Sequence, residues 1–284
     1  MEQLRLYAIV LRLAAIQRGA LPAEHGDLAR AALLDLIKRG DASLASQIHD
    51  ENTHKPYTIS LLKGGKRDRD RAQHFGEGDV AEWRFTLLCE PAFEATLRRY
   101  LLSRDLPHIR LGAVEFAIVD AFASGESHPD SGYVLIPDLA HKWDCDPATL
   151  PRVFTLDFLS PTTFNLGEDA VTGRRRFRSN PDPRVLFSTL RKRWQKFGGA
   201  EPGDSMDVWV DQQVEAEPLW LETCRVQIER MSVIGFVGRV RYHVYGDPLW
   251  LPCLHLLADL SFWTGVGYQT TRGLGQVRRV VETS

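Results

Sequence analysis

The stretch VIGFVGRVRYHVY, from Val233 to Tyr245, predicts a long β-strand because apolar residues alternate along it with small or polar ones. A second predicted strand, Leu219 to Arg230, precedes it, and an apolar helix from Leu249 to Trp263 begins just after Pro248. The other elements of this half are two strands and a basic helix: Val153 to Leu159, Gln276 to Val281, and Arg184 to Phe197. Along the chain the order is β-α-β-β-α-β, which is that of a ferredoxin-like fold.

The first half of the chain gives the same order, with no visible sequence identity to the second half. Its first helix is predicted to begin with Asp27 as the N-cap and to end at Gly40. The predicted strands are Leu4 to Ala14, Tyr57 to Leu62, Asp79 to Cys89 and Leu111 to Phe122, and the other helices are Ala42 to His49 and Pro91 to Leu102. The sequence therefore predicts an α+β fold with two tandem ferredoxin-like (βαββαβ, RRM-like) domains, each with an antiparallel sheet.

A segment with several proline and glycine residues separates the two predicted halves. It includes Pro129 and Pro137, which are typical of turns and loops. We therefore predict an N-terminal domain at residues 1–125, a linker region at 126–150 and a C-terminal domain at 151–284.

The 284 residues carry a formal net charge of −2, which excludes a uniformly basic nucleic-acid-binding protein. The charges are nevertheless unevenly distributed. Residues 172–198 hold nine basic residues and one acidic residue, a net charge of +8, and residues 199–229 hold eight acidic residues and one basic residue, a net charge of −7. Arginines on both sides of an aromatic ring, as around Phe177, are typical of RNA contacts, and the charge density favours this interpretation. The alternative is a solvated face that pairs with the acidic segment.

The cysteines and the N-terminal segment indicate the cellular compartment in which the protein is expected. The four cysteines, with no C-x-x-C spacing among them, are Cys89, Cys145, Cys224 and Cys253. Such scattered cysteines are typical of reduced thiols in a cytoplasm and not of a disulfide scaffold or a zinc site. The first apolar run is interrupted by Arg5 and Arg12, so it is neither a secretory segment nor a membrane span. We expect a soluble cytoplasmic protein that does not contact a membrane.

The most glycine-rich stretch is TGVGYQTTRGLGQVR, from Thr264 to Arg278. Its glycines are Gly265, Gly267, Gly273 and Gly275. The dinucleotide fingerprint does not fit, because position 270 is threonine and a predicted helix precedes the stretch instead of following it. A backbone of this kind can approach an anion closely, with Thr270, Thr271 and Arg272 as donors, or it can simply join a helix to a strand. Both interpretations remain open at this point.

Two of the nine histidines, His49 and His54, lie in one polar segment, IHDENTHKPYTIS. Their spacing does not place them on one helix face and no H-E-x-x-H pattern occurs, so we expect no metal site. A histidine at a helix end, followed by Lys55, could transfer a proton beside an ammonium group that stabilises charge. The other interpretation of His49, and of His25 in the turn LPAEHGDL, is a structural role such as a helix cap.

Several stretches taken together resemble one family. In chain order they are LP-x-x-H, LASQIHDENTHKPYTIS, LSPTTF, GFVGRVRYHV and GVGYQTTRGLGQVR. Together they span nearly the whole chain, and the G-x-G-x-x-T-x-x-G-x-G pattern of the last stretch is the most specific. The sequence resembles the CRISPR repeat-cleaving endoribonucleases of the RAMP superfamily, which process precursor CRISPR RNA.

This resemblance implies two tandem ferredoxin-like folds and a cut within the repeat that needs neither a metal nor another cofactor. The products would be a 2′,3′-cyclic phosphate and a 5′-hydroxyl. The catalytic histidine of the family lies in an LA-x-x-[LI]-H context, which His49 matches, and a family lysine six residues further on matches Lys55. Leu34 stands where some members have a tyrosine. His49 therefore acts with Lys55 alone, which we favour, or with His25 or His54 as an auxiliary group.

The resemblance also implies that the basic segment and the glycine-rich stretch bind RNA. The predicted RNA-binding residues are Arg174, Arg175, Arg176, Arg178, Arg191, Lys192, Arg193, Gly265, Gly267, Thr270, Thr271, Arg272, Gly273 and Gly275. The expected partner is CRISPR repeat RNA, precursor and processed, and the further candidates are other CRISPR effector subunits and a second copy of the chain. The alternatives are a non-catalytic RAMP-type RNA-binding subunit and a protein that binds a small anionic ligand.

Overall fold

The computed structural model describes residues 4–51, 55–102, 108–197, 203–228 and 231–280. The chain forms two compact units. Unit 1 comprises Met1–Val134 together with Thr271–Gly273, and unit 2 comprises Leu135–Thr270 together with Leu274–Ser284. The division after Val134 falls inside the segment predicted as a linker, and that segment contains a strand and a helix.

Unit 1 contains ten strands, most of them short, and three helices among its described residues. The strands are β1 (Arg5–Ala15), β2 (Gly19–Leu21), β3 (Tyr57–Ile59), β4 (Lys63–Gly64), β5 (Lys66–Arg67), β6 (Gln73–Phe75), β7 (Val80–Leu87), β8 (His108–Leu111), β9 (Val114–Phe122) and β10 (Gly132–Leu135). The helices are α1 (Gly26–Gly40), α2 (Ala42–Asp50) and α3 (Glu90–Leu102).

Strand β1 is the centre of the main sheet of unit 1. It pairs antiparallel with β7 on one side and β9 on the other, while β3 lies beyond β7 and β8 lies beyond β9. Helix α1 contributes Ala29, Leu33 and Ile37, spaced four residues apart, to the core that also holds Leu11 and Leu13 of β1. This spacing places the three side chains on one face of α1, so the helix covers the sheet with a single apolar stripe.

Unit 2 contains the remaining elements. Its strands are β11 (Val153–Thr162), β12 (Phe164–Glu168), β13 (Arg175–Arg178), β14 (Val214–Ile228), β15 (Met231–Val244) and β16 (Val277–Arg279). Its helices are α4 (Ile136–His141), α5 (Pro183–Lys196), α6 (Gly203–Gln213) and α7 (Leu251–Thr264), and 3-10 turns lie at Pro147–Thr149 and Thr270–Arg272. The main sheet has the order β14-β15-β11-β16, and β12 and β13 form a separate hairpin.

Both main sheets have the arrangement expected of a βαββαβ chain, because the first strand of the motif lies between the third and the fourth. The predicted α+β fold with antiparallel ferredoxin-like sheets is confirmed. The predicted N-cap of α1 is wrong: His25 occupies that position, and Asp27 lies in the first turn. Helix α6 was not predicted, because only Met206 and Val210 of its residues are buried and they form too narrow an apolar stripe. None of the described helices has the length and apolar composition needed to cross a membrane.

A buried arginine joins α5 to α6. The side chain of Arg191 is only 3% exposed, and its guanidinium lies 2.8 Å from carboxylate oxygens of both Asp204 and Asp207. Burial lowers the pKa of Arg191, but the hydrogen bonds with Asp207 outweigh this effect, so the pKa is raised above its usual value. The neighbouring acidic segment therefore neutralises this charge within unit 2.

We expect Arg191→Met to lower the free energy of unfolding by about 2 kcal/mol, because Asp207 would lose the partner that compensates its burial. Urea unfolding monitored by circular dichroism measures the change. The matched control is Arg184→Met on the same helix, whose partner Asp211 lies at 3.4 Å with both side chains 54% exposed. An exposed pair of this kind contributes about 0–1 kcal/mol. Equal losses in the two variants would contradict a structural role specific to Arg191.

Candidate functional site

Helix α2 presents His49 to solvent. The helix begins with Asp41 as its N-cap, whose carboxylate accepts a hydrogen bond from the Leu44 amide at 2.9 Å. Ala45 and Ile48 are buried, so this face packs against the core of unit 1. His49 lies in the last turn beside this buried face, and its side chain is 65% exposed. His49 is therefore accessible to a large ligand.

Lys55 closes the end of the same helix. Its ammonium group donates hydrogen bonds to the carbonyl oxygens of Ile48, at 2.8 Å, and His49, at 2.6 Å. A cation at this position satisfies carbonyls that have no partner inside the helix and interacts favourably with the helix dipole. Burial, and secondly the charge of Arg30, lower the pKa of Lys55. The structure thus brings the two predicted catalytic residues together, with Lys55 holding the backbone of His49.

His25 is a structural residue, and the prediction of an auxiliary catalytic role for it is corrected here. Its ring is 1% exposed. Nδ1 lies 2.9 Å from the Pro22 carbonyl oxygen, and Nε2 accepts a hydrogen bond from the Leu62 amide at 2.9 Å. These contacts require a neutral ring protonated on Nδ1, so both nitrogens are already engaged. His54, the other predicted auxiliary residue, lies outside the described residues.

A cluster of side chains near Lys55 was not predicted as a group from the sequence. Arg272 lies 3.0 Å from the Asp27 carboxylate at the start of α1, and Arg30 follows one turn later on the same helix. The Tyr57 ring on β3 is 1% exposed. Burial raises the pKa of Tyr57, and the charges of Arg30 and Arg272 oppose this shift. Arg30 precedes Leu34 by four residues, so helical spacing was the signal that could have pointed to it.

The glycine-rich stretch folds tightly, and its shape requires glycine. Gly275 has φ of 65°, and a Cβ added there would lie 1.9 Å from the Val266 carbonyl oxygen. Gly267 has φ of 80°, and its Cβ would lie 2.4 Å from the Thr163 carbonyl oxygen. Neither the left-handed backbone nor the close approach tolerates a side chain. Gly265 and the buried Thr270 pack within this turn in unit 2, whereas Thr271, Arg272 and Gly273 belong to unit 1.

Two arginines predicted to bind RNA instead stabilise unit 2. The guanidinium of Arg193 donates hydrogen bonds to the carbonyl oxygens of Thr264, Gly265 and Gly267, so it holds the glycine-rich stretch in place. Burial lowers the pKa of Arg193 to about 10. Arg191 is engaged with Asp204 and Asp207, as described above. Since both guanidinium groups are already occupied, we withdraw Arg191 and Arg193 from the predicted RNA contacts. The sequence does not show that these two arginines are enclosed whereas the side chain of Lys192, on the same helix, is exposed.

The β12–β13 hairpin presents the other arginines. Arg174, Arg175 and Arg176 are exposed, and Arg178 forms an ion pair with Asp182. The connecting turn is organised by the Asp169 carboxylate, which accepts hydrogen bonds from the amides of Val171 and Thr172 and from the Thr172 hydroxyl. Phe177 is half-buried, with its ring 5.5 Å from that of Tyr268, so it anchors the hairpin and is not an exposed stacking surface. The hairpin therefore displays three guanidinium groups on a fixed turn.

Comparisons with known proteins find similarity to Cas6 proteins. The sequence model described as CRISPR-associated endoribonuclease Cas6 matches residues 156–277, from β11 to β16. The Cas6 (TTHB231) product complex, a protein of Thermus thermophilus, has a TM-score of 0.78 and 24% identity, covering 98% of this chain and 100% of that chain. The Cas6 (TTHA0078) product complex has a TM-score of 0.71 and 26% identity over the same shares. The chain is thus similar to Cas6 proteins in fold, and its second half matches the Cas6 sequence model.

A more distant Cas6-related protein, from Pyrococcus furiosus, has a TM-score of 0.66 and 14% identity, covering 98% of this chain and all of that chain. No curated protein matches the sequence. The described residues contain no group of three or more His, Cys, Asp or Glu side chains that could hold a metal ion.

We expect His25→Phe to lower the free energy of unfolding by about 2 kcal/mol, because the Leu62 amide would lose its buried acceptor. Burial lowers the pKa of His25 in the folded chain, so the unfolded chain binds more protons below pH about 6.5. The stability that neutral His25 contributes is therefore present above that pH and is lost as the pH falls. Urea unfolding between pH 8 and about 5 should give a shallower pH dependence for the variant. Identical slopes in the two proteins would contradict this assignment.

Proposed function

We propose that this chain is a metal-independent endoribonuclease that cleaves precursor CRISPR RNA within the repeat. The observation that carries the proposal is the exposed imidazole of His49 on the last turn of α2, whose backbone is fixed by Lys55. Two related Cas6 structures are product complexes, and a third is a substrate mimic complex of Cas6 (TTHA0078). These relatives support RNA as the substrate class.

The proposed reaction needs no external nucleophile. The 2′-hydroxyl oxygen of the RNA attacks its own 3′-phosphate, a new P–O2′ bond forms, and the P–O5′ bond breaks. One proton leaves the 2′-hydroxyl and one is taken up by the departing 5′-oxygen, so the products are a 2′,3′-cyclic phosphate and a 5′-hydroxyl. His49 transfers one of these protons, and the protein aligns the attack and stabilises the charge that develops on the phosphate.

We assign the two tasks to different parts of the chain. The N-terminal domain carries the catalytic histidine, and the C-terminal domain binds RNA through the exposed arginines of the β12–β13 hairpin, with Lys192 as a further basic residue. Three guanidinium groups on an ordered turn suit the phosphates of a structured RNA, because backbone contacts position the substrate without reading its sequence. Other CRISPR effector subunits and a second copy of the chain are the further partners that this proposal allows.

We expect wild-type protein to cut a structured repeat RNA at one position in excess EDTA, leaving a cyclic phosphate. His49→Ala should lower the single-turnover rate at least about 100-fold, because a positioned proton-transfer group contributes about 10²–10⁴-fold. Gel electrophoresis of the cleaved RNA measures the rate, and analysis of the 3′ end of the product identifies the cyclic phosphate. The matched control is His108→Ala, an exposed histidine of unit 1 that lies 3.4 Å from Glu115.

The same experiment separates the proposal from its alternative. The alternative is a subunit that binds RNA without cutting it, which Leu34 in place of a family tyrosine leaves open although His49 and Lys55 speak against it. Bound but intact RNA with wild-type protein would establish that alternative. Cleavage that stops in EDTA and returns with a divalent cation would contradict metal independence. Unchanged cleavage by His49→Ala would remove His49 from the mechanism.

We expect replacement of Arg174, Arg175 and Arg176 by alanine to weaken RNA binding and to reduce the slope of log affinity against log salt concentration by about 2 to 3, because each phosphate contact releases roughly one counterion. Replacement of the same residues by lysine keeps the charge and should largely preserve the slope. Fluorescence anisotropy at several salt concentrations measures both quantities. An unchanged slope in the alanine variant would show that the hairpin is only a solvated basic surface.

A further inference from the structure

One strongly charged hairpin of unit 1 has no part in the function described so far. Strands β5 and β6 pair antiparallel and are joined by a short turn. Residues 63–72 hold five basic residues and two acidic residues, a net charge of +3, and all these charged side chains are exposed. Among the five basic residues only Lys63 forms an ion pair with a described residue, Asp130, at 3.2 Å. The cations that remain available to an external anion are Lys66, Arg67, Arg69 and Arg71.

The base of this β5–β6 hairpin is fixed to the core of unit 1. Strand β6 also pairs with β2, so it is the middle strand of a three-stranded sheet. The buried side-chain amide of Gln73 donates hydrogen bonds to the carbonyl oxygens of Leu62, at 3.0 Å, and Gly64, at 2.9 Å. The buried ring of Phe75 packs edge-on against that of Phe116, with 5.1 Å between the ring centroids. The charged turn therefore projects from an ordered support, so little conformational entropy is lost when it binds a ligand.

The turn itself is ordered by Asp68. Its carboxylate accepts a hydrogen bond from the Ala72 amide at 3.0 Å and lies 2.7 Å from Nε2 of His74. The Asp68 amide donates to the Ala72 carbonyl oxygen at 3.1 Å, and the Arg71 amide donates to the Asp68 carbonyl oxygen at 3.1 Å. The Asp68 carboxylate is thus engaged with an amide and an imidazole, and it forms no ion pair with a described arginine. The arginines of the turn are therefore not neutralised by this acid.

The backbone at Arg71 distinguishes this hairpin from an ordinary charged loop. Its φ is 64°, in the left-handed region that favours glycine and is uncommon for arginine. Three-residue hairpin turns usually have glycine at this position. In the β12–β13 hairpin, where Asp169 orders the turn, the residue whose amide bonds back to the aspartate carbonyl is Gly173, with φ of 65°. An arginine in a conformation that glycine adopts more easily indicates that its side chain has a function of its own.

We propose that the β5–β6 hairpin is a second RNA-binding element, in which Lys66, Arg69 and Arg71 contact phosphates of the RNA backbone. Ammonium and guanidinium groups bind phosphate oxygens whatever the base, so this element holds the RNA without reading its sequence. The inference rests on the proposed function for the identity of the ligand, because RNA is the polyanion which that function brings to the chain. Binding itself can be measured without cleavage.

The central test is Arg71→Gly, because glycine suits the left-handed backbone and the change removes only the cation. We expect an unfolding temperature no lower than that of wild-type protein. Affinity for a repeat RNA with a 2′-deoxy cleavage position should fall about 5-fold, and the slope of log affinity against log salt concentration should fall by about 1, since one phosphate contact is lost. Arg71→Lys keeps the charge and should preserve the slope. Fluorescence anisotropy measures binding, and circular dichroism measures unfolding.

A double variant and a matched control extend this test. Arg69→Ala combined with Arg71→Gly should reduce the slope by about 2, because two phosphate contacts are lost. The control is Arg110→Ala, which removes an exposed arginine from the β8–β9 hairpin of the same unit, where its Nε donates to the Gly112 carbonyl oxygen at 3.0 Å. The control should leave affinity and slope unchanged. An equal loss in the control would show that only the net charge matters, and it would overturn the inference.

Cleavage assays separate a failure of this inference from a failure of the proposed function. At saturating protein, Arg71→Gly should cleave at the wild-type single-turnover rate, because a contact made equally in the ground state and the transition state does not change the chemical step. If wild-type protein leaves the RNA intact but the variants lose affinity, the proposed cleavage fails and the RNA-binding hairpin stands. If wild-type protein cleaves and the variants bind RNA with unchanged affinity and slope, the hairpin assignment is overturned. A slower rate at saturation with unchanged affinity would also overturn it.

Discussion

The central position of β1 determines the arrangement of unit 1. The strand pairs with β7 on one side and β9 on the other, and every residue from Leu6 to Leu11 is buried. A strand this apolar cannot lie at an edge, so the remaining strands add outside it and α1 covers the sheet with one stripe of apolar side chains. The end of α1 leads directly into α2, because Asp41 is both the C-cap of the first helix and the N-cap of the second. The position of His49 follows from this chain of constraints.

The basic residues of this protein have three physically different tasks. Arg191 and Arg193 are enclosed and hold elements of unit 2 together, one through carboxylates and the other through backbone carbonyls. Lys55 ends a helix. Arg174 to Arg176 remain exposed on a hairpin whose turn is fixed by Asp169. A net charge counted along the sequence adds these groups together, although they differ in exposure and in the partners they already have. The +8 segment therefore overstates the positive surface, because the adjacent acidic segment already neutralises part of it.

The element order could be predicted from the sequence because the alternating and helical patterns are strong in both halves. The sequence patterns gave wrong or missing predictions where the burial of side chains does not follow the pattern of apolar residues. Helix α6 has a narrow apolar stripe, and the N-cap position of α1 is occupied by His25, which makes no side-chain cap hydrogen bond, instead of by Asp27. The family resemblance led to His49 and Lys55 as a pair. The resemblance could not show that His25 is a structural residue and not a catalytic one, because its hydrogen-bond partners Pro22 and Leu62 are known only once the chain is folded.

The sequence by itself determined the two βαββαβ repeats, a resemblance to the CRISPR repeat-cleaving endoribonucleases, and a histidine at a helix end with a lysine six residues further on. These features depend on local periodicity and on contiguous motifs, which are present in the chain before it folds. Only the tertiary structure decided which arginines are enclosed, which histidine is exposed, and that Arg272 forms an ion pair with Asp27 at the start of α1. Those properties depend on desolvation and on contacts between distant segments, and the residue types alone do not encode them.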